Sequence, residues 1–94
     1  MQSTPRYQNE LAVYRHRLGF SQKQVARLIA HKSPAMLSRY EQGHCLPPLL
    51  TALRLEIAMR IPVAYLYPNL YRPLKDEIRG QEEAMRNFGQ QKLL

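Results

Sequence analysis

The chain is poor in several things that proteins of known kinds need. It has one cysteine, Cys45, among 94 residues, so a disulfide framework within the chain is excluded. No long apolar run is present: the longest, Val63–Tyr67, is far short of the roughly 20 residues of a membrane-spanning helix. Residues 1–20 carry Arg6, Glu10, Arg15 and Arg17 without an apolar signal segment, so export is not expected and a cytoplasmic location is. Neither a G-x-G-x-x-G nor a phosphate-loop motif occurs. His44 and Cys45 are adjacent, but no C-x-x-C or H-x-x-x-H accompanies them, so no metal or cofactor is expected. No pair of carboxylates suggests a catalytic pocket, and the chain is not expected to be an enzyme. Alternating stretches that would read as strands are missing, as are repeats and low-complexity segments.

Acids are also scarce. There are 7 Asp and Glu against 14 Lys and Arg, a formal charge of +7. Residues 1–60 hold nine bases and three acids, whereas residues 61–94 hold five and four. A basic front with a near-neutral tail suggests a polyanion-binding unit followed by a segment with another task. At this length one domain with a modest core is expected, with no room for a separate ligand-sensing domain.

What is present is helical spacing. Leu11, Tyr14 and Leu18 recur on one face and predict a first helix over about 6–18, stopped by Gly19. Ser21 and Gln24 stand in capping-box positions before a second helix at 22–29, with Val25, Ala26 and Ile29 as its buried stripe. Ser33-Pro34 predicts a third start, with Ser33 as cap and Pro34 at the first helical position. The third helix covers 34–42, turns Met36, Leu37 and Tyr40 inward, and stops at Gly43. Leu49, Leu53, Ile57 and their neighbours Leu50, Ala52 and Met59 predict a fourth helix, ended by Pro62, and Val63–Tyr67 a short fifth. Pro68-Asn69 reads as a turn. Pro73 then opens an amphipathic segment carrying Leu74, Ile78, Met85 and Phe88 on one face, ended at Gly89. The expected class is all-α, with a unit at 1–72 and a C-terminal helix at 73–94.

Two short helices joined by the tight turn 30–33 cross steeply, which is the helix-turn-helix arrangement. Its second helix can protrude into a DNA major groove about 12 Å wide. The residues here are specific: Arg15, Leu18-Gly19-Phe20-Ser21-Gln22, Val25-Ala26, Ser38-Arg39-Tyr40-Glu41-Gln42-Gly43, Pro47, and Leu49/Leu53/Met59. This stretch resembles the helix-turn-helix domain of the lambda-repressor and Cro-like family, also called the xenobiotic-response-element type. The resemblance implies a five-helix fold, here with an added C-terminal amphipathic helix. It also implies that Gln22 bonds a backbone phosphate, and that Arg15 pairs with Glu41 to tie the recognition helix to its scaffold. Two positions depart from the family pattern. The turn Ala30-His31-Lys32-Ser33 is one residue longer and lacks the usual glycine, and Arg60 replaces a glycine after the fourth helix.

Opposite the apolar arc of the third helix lie Pro34, Ala35, Ser38, Arg39 and Gln42. Arg39 can bond guanine O6 and N7 together, or a phosphate. Ser38 can bond either a base or a phosphate. Pro34 and Ala35 offer only apolar contacts, and Pro34 also reads simply as a helix starter. Lys23, His31, Lys32, Ser33, Gln42 and His44 cluster at helix ends as candidate phosphate partners. Residues 65–94 suit either a cap on the core, a homodimer interface or a site for another protein. The sequence thus suggests a transcription regulator of bacterial or phage type that binds double-stranded DNA as a dimer, most simply a repressor. An antitoxin-type autoregulator holding a partner protein through its tail, or an adaptor without DNA binding, are the alternatives.

Overall fold

The structure, a computed structural model, describes residues 6–93, and the side-chain surroundings of residues 6–88. Residues 1–5 of the expected first unit and Leu94 of the expected tail lie outside it. Six helices are seen among the described residues: α1 (Leu11–Arg17), α2 (Gln22–Leu28), α3 (Ala35–Glu41), α4 (Leu49–Met59), α5 (Val63–Leu66) and α6 (Pro68–Leu93). No strand occurs among them. The fold is all-α: α1 to α5 surround one core, and α6 extends from it.

The core joins Leu11 of α1, Val25 and Ile29 around α2, Leu37 and Tyr40 of α3, Leu55 and Met59 of α4, and Leu66 and Tyr67 at the end of α5. Each helix contributes only one or two side chains to this core, so none of the short helices is stable without the others.

Local chemistry sets the helix ends. The Ser21 hydroxyl accepts from the Gln24 N–H at 3.1 Å, and the Gln24 carboxamide accepts from the Ser21 N–H at 2.8 Å, completing the capping box of α2. Gly19 and Gly43 follow α1 and α3 with φ of 77° each, a backbone region that L side chains disfavour. Ala30 and Arg60 adopt the same region at 61° and 59° without being glycine. Arg60 and the turn that Ala30 opens are where the chain departs from the family pattern. Pro34 already has helical angles (φ −77°, ψ −1°) although α3 is counted from Ala35, and the Ser33 hydroxyl accepts from the Ala35 N–H at 3.4 Å.

Several expectations are corrected. The first helix starts at Leu11 rather than near residue 6. Asn9 claims the preceding backbone: its carboxamide accepts from the Leu11 N–H (3.0 Å) and donates to the carbonyls of Tyr7 (2.9 Å) and Tyr40 (2.7 Å). Leu18 and Met36, expected inside, are exposed. In α4 the buried residues are Thr51, Leu55 and Met59, while Leu49, Leu50, Leu53 and Ile57 face outward. The helix is apolar on both sides, so its rotation is chosen by polar anchors. Glu56 Oε1 accepts the Val63 N–H at 2.9 Å at the start of α5, and Arg54 donates to the Ile29 carbonyl at 3.4 Å.

The last helix differs most. Pro68-Asn69 is no turn, because Pro68 opens α6, at the position where its missing N–H costs nothing. Pro73 lies inside the helix, and the helix continues through Gly80 and Gly89 to Leu93. Its first turn packs on α5 through Leu70. From Tyr71 to Phe88 every residue except the half-buried Glu82 is exposed. With 26 residues, α6 is about 39 Å long and accounts for the elongated outline, 61 × 35 × 22 Å.

Candidate DNA interface

α2 and α3 are joined by the segment from Ile29 to Pro34 and held by one polar cluster. Arg15 of α1 is 8% exposed. Its Nε donates to Glu41 Oε2 at 2.7 Å and its Nη2 to Glu41 Oε1 at 3.0 Å, a two-pronged pair. Nη1 donates to the Phe20 carbonyl at 3.0 Å. Gln22, the first residue of α2, adds a bond from Nε2 to Glu41 Oε1 at 2.9 Å. One carboxylate thereby collects three donors from α1 and α2 and anchors the end of α3. Burial of such a pair is tolerable because its hydrogen-bonding groups are satisfied.

The resemblance implies a phosphate partner for Gln22; the partner seen in the structure is Glu41. Asn9 was not foreseen at all. Its bond to the Tyr40 carbonyl clasps the last turn of α3 from the other side. An Asn two residues before a helix is a recognisable turn signal, but nothing local in sequence reveals that it reaches 31 residues ahead.

The outward surface gathers the candidates in two groups. Lys23, Arg27, His31, Lys32, Ser33 and Pro34 line one concave surface of about 330 Å³ between α2 and the start of α3. Three cationic side chains meet there, and no acid lines it among the described residues. Arg27 is the member that sequence reading missed. Its signal was its place four residues after Lys23, on the same helix face.

The second group is the outer arc of α3. Ala35, Arg39 and Gln42 are exposed and Ser38 is half-buried. Gln42 Nε2 donates to the Ser38 hydroxyl at 3.2 Å, so these two polar groups act as neighbours. Met36 shares in this exposed surface instead of the core. His44 is exposed just beyond the C-terminal end of α3, at the far end of that helix from Lys32. His31 is half-buried. Its Nδ1 lies 3.2 Å from the Ile29 carbonyl and its ring meets Tyr40 edge-on at 6.3 Å. That ring therefore braces α3 as well as bordering the cleft. Behind it, burial and then nearby Cys45 raise the Tyr40 phenol above its ordinary value, keeping it neutral.

A family model described as helix-turn-helix matches residues 11–66. Those limits coincide with the start of α1 and the end of α5 and span more than half of the chain. The chain belongs to the Cro-like helix-turn-helix family. The helix-turn-helix family is one of DNA-binding regulators and not an enzyme family. No curated protein matches the chain. α6 lies beyond the matched residues, and the described helix-turn-helix chain has no helix long and apolar enough to cross a membrane.

Proposed function

We propose that this helix-turn-helix protein is a sequence-specific transcriptional repressor that lays α3 in the major groove. The observation that supports this reading is the pairing of an acid-free cationic cleft with an exposed polar arc on one clamped helix. In this reading Lys23, Arg27 and Lys32 hold phosphates, together with His31, Ser33 and His44, and set the protein's register on the duplex. Arg39 reads guanine, Ser38 and Gln42 act as one hydrogen-bonding unit beside it, and Pro34 and Ala35 meet thymine methyls. Gln22 gives one amide N–H to Glu41 and has a second for a phosphate. Arg15 and Glu41 support α3 and do not touch DNA.

The repressor acts as a homodimer, with residues 1–72 carrying the DNA surface and residues 73–94 the dimer contact. A single α3 of seven residues spans too few base pairs for useful specificity. Two copies read half-sites about 34 Å apart. The setting is the cytoplasm of a bacterium or a phage-infected cell. The test is duplex binding titrated across salt concentrations. The reading expects affinity to fall steeply with salt, with a slope reporting several phosphate contacts. Flat, weak binding at all salt concentrations would favour an adaptor without DNA binding instead.

A further inference from the structure

The exposed side chains of α6 are ordered more strictly than an amphipathic cap requires. Tyr71, Leu74, Ile78, Gln81, Met85 and Phe88 follow one another at steps of three and four, the a and d spacing of a coiled coil. The apolar five are between 47% and 70% exposed. Pro73 and Gly80, the helix-weakening residues, both fall on the outward c positions, so the seam is uninterrupted.

We infer that α6 pairs with α6 of a second copy of this chain as an antiparallel two-stranded coiled coil centred between Arg79 and Gly80. The inference rests on the dimer proposed above and gives it a partner surface and an orientation. The flanking charges select that orientation. Lys75 and Glu82 occupy e positions, and Glu77 and Ala84 occupy g positions. In a parallel pair, g residues face e residues of the next heptad, which would set Glu77 against Glu82 twice. In an antiparallel pair, e faces e and g faces g. Lys75 then meets Glu82 of the second copy, twice, and Glu77 meets only Ala84. Glu82 also bonds Arg79 of its own helix through Oε1 at 2.8 Å and lies 3.9 Å from Arg86 through Oε2, but exposed pairs of this kind contribute little and yield to a closer partner.

The same register places every seam residue. Leu74 meets Met85 of the second copy, Ile78 meets Gln81, and Tyr71 meets Phe88. Gln81, the one polar residue of the seam, meets Ile78 at the centre, where a polar core residue specifies register at a cost in stability. Phe88 of the second copy arrives beside an apolar groove of about 220 Å³ whose lining includes Leu46, Val63, Leu70 and Tyr71. At 1.5 Å per residue, the two starts of α6 stand about 35 Å apart, the scale of one turn of duplex. An exposed apolar face on α4 has no comparable flanking pattern.

The orientation is tested on the full chain without DNA, in a Cys45→Ala background, by spin labels at Arg72→Cys or Arg79→Cys. The antiparallel pair is expected to give a distance of about 25 Å at position 72 and under about 15 Å at position 79. Equal short distances at both would overturn the orientation, and a monomer in sedimentation would overturn the pairing. As a second reading, Glu82→Lys is expected to weaken the dimer about fivefold, and Lys75→Glu with Glu82→Lys to restore it. A stronger dimer for Glu82→Lys alone would contradict the inference, because only parallel pairing sets that lysine against Glu77. Both readings are independent of DNA binding, so their failure leaves the DNA-binding reading standing.

Discussion

Glu41 is the residue on which three elements converge. Removing it leaves the Arg15 guanidinium buried with only the Phe20 carbonyl, and orphans the Gln22 amide. Glu41→Ala is therefore expected to lower stability by about 3–5 kcal/mol, read by urea denaturation. Loss of DNA binding at unchanged stability would show instead that Glu41 acts at the interface. Ala30 and Arg60 sit in left-handed backbone. Ala30→Gly and Arg60→Gly are each expected to raise stability by about 1 kcal/mol in the same assay, because glycine relieves the steric strain that every other side chain meets there. On the outer arc, Arg39→Ala is expected to weaken binding by about 1–3 kcal/mol at one base position and relax selection there. Lys32→Ala is expected to weaken binding evenly across sequences and reduce the salt slope by about 1. Competition titrations with point-substituted duplexes separate the two outcomes.

At the scale of the element, the helices most legible in sequence were those bounded by local chemistry. Ser21 with Gln24, and Gly43 after α3, place α2 and the end of α3 because the capping groups lie within a few residues of what they cap. The start of α1 was not legible, since Asn9 acts by reaching across to α3. The rotation of α4 was not legible either. Leu49, Leu53 and Ile57 are more apolar as a set than Thr51, Leu55 and Met59, and only contacts distant in sequence choose between the two arcs. α6 passes through Pro73 because one lost hydrogen bond on an exposed face does not outweigh the turns on either side. The rotation of α4 has a direct check in thermal or urea unfolding. Leu55→Ala is expected to lower stability by about 2–5 kcal/mol, and Ile57→Ser to change it by no more than about 0.5 kcal/mol. The opposite ranking would mean that the inward face had been read wrongly.

At the scale of the whole molecule, four of the nine bases in residues 1–60, Lys23, Arg27, Lys32 and Arg39, lie on the proposed DNA surface, whereas Arg15 is spent internally on Glu41. In the proposed function, charge sets affinity and the narrow arc of α3 sets selectivity. That arc was legible in sequence because Ala35, Ser38, Arg39 and Gln42 share one side of a helix whose other side is Leu37 and Tyr40. The cleft with Arg27 was not, since it forms only when the end of α2 folds back toward the start of α3. In the proposed pairing, the projecting α6 makes the molecule one half of a larger object, with a DNA-reading head at each end of a shared rod. Selection of bound sequences from a random duplex pool tests this account most directly. The expected result is a two-fold symmetric consensus with half-site centres about 34 Å apart, one helical turn or a multiple of it. Absence of any enriched sequence would contradict it.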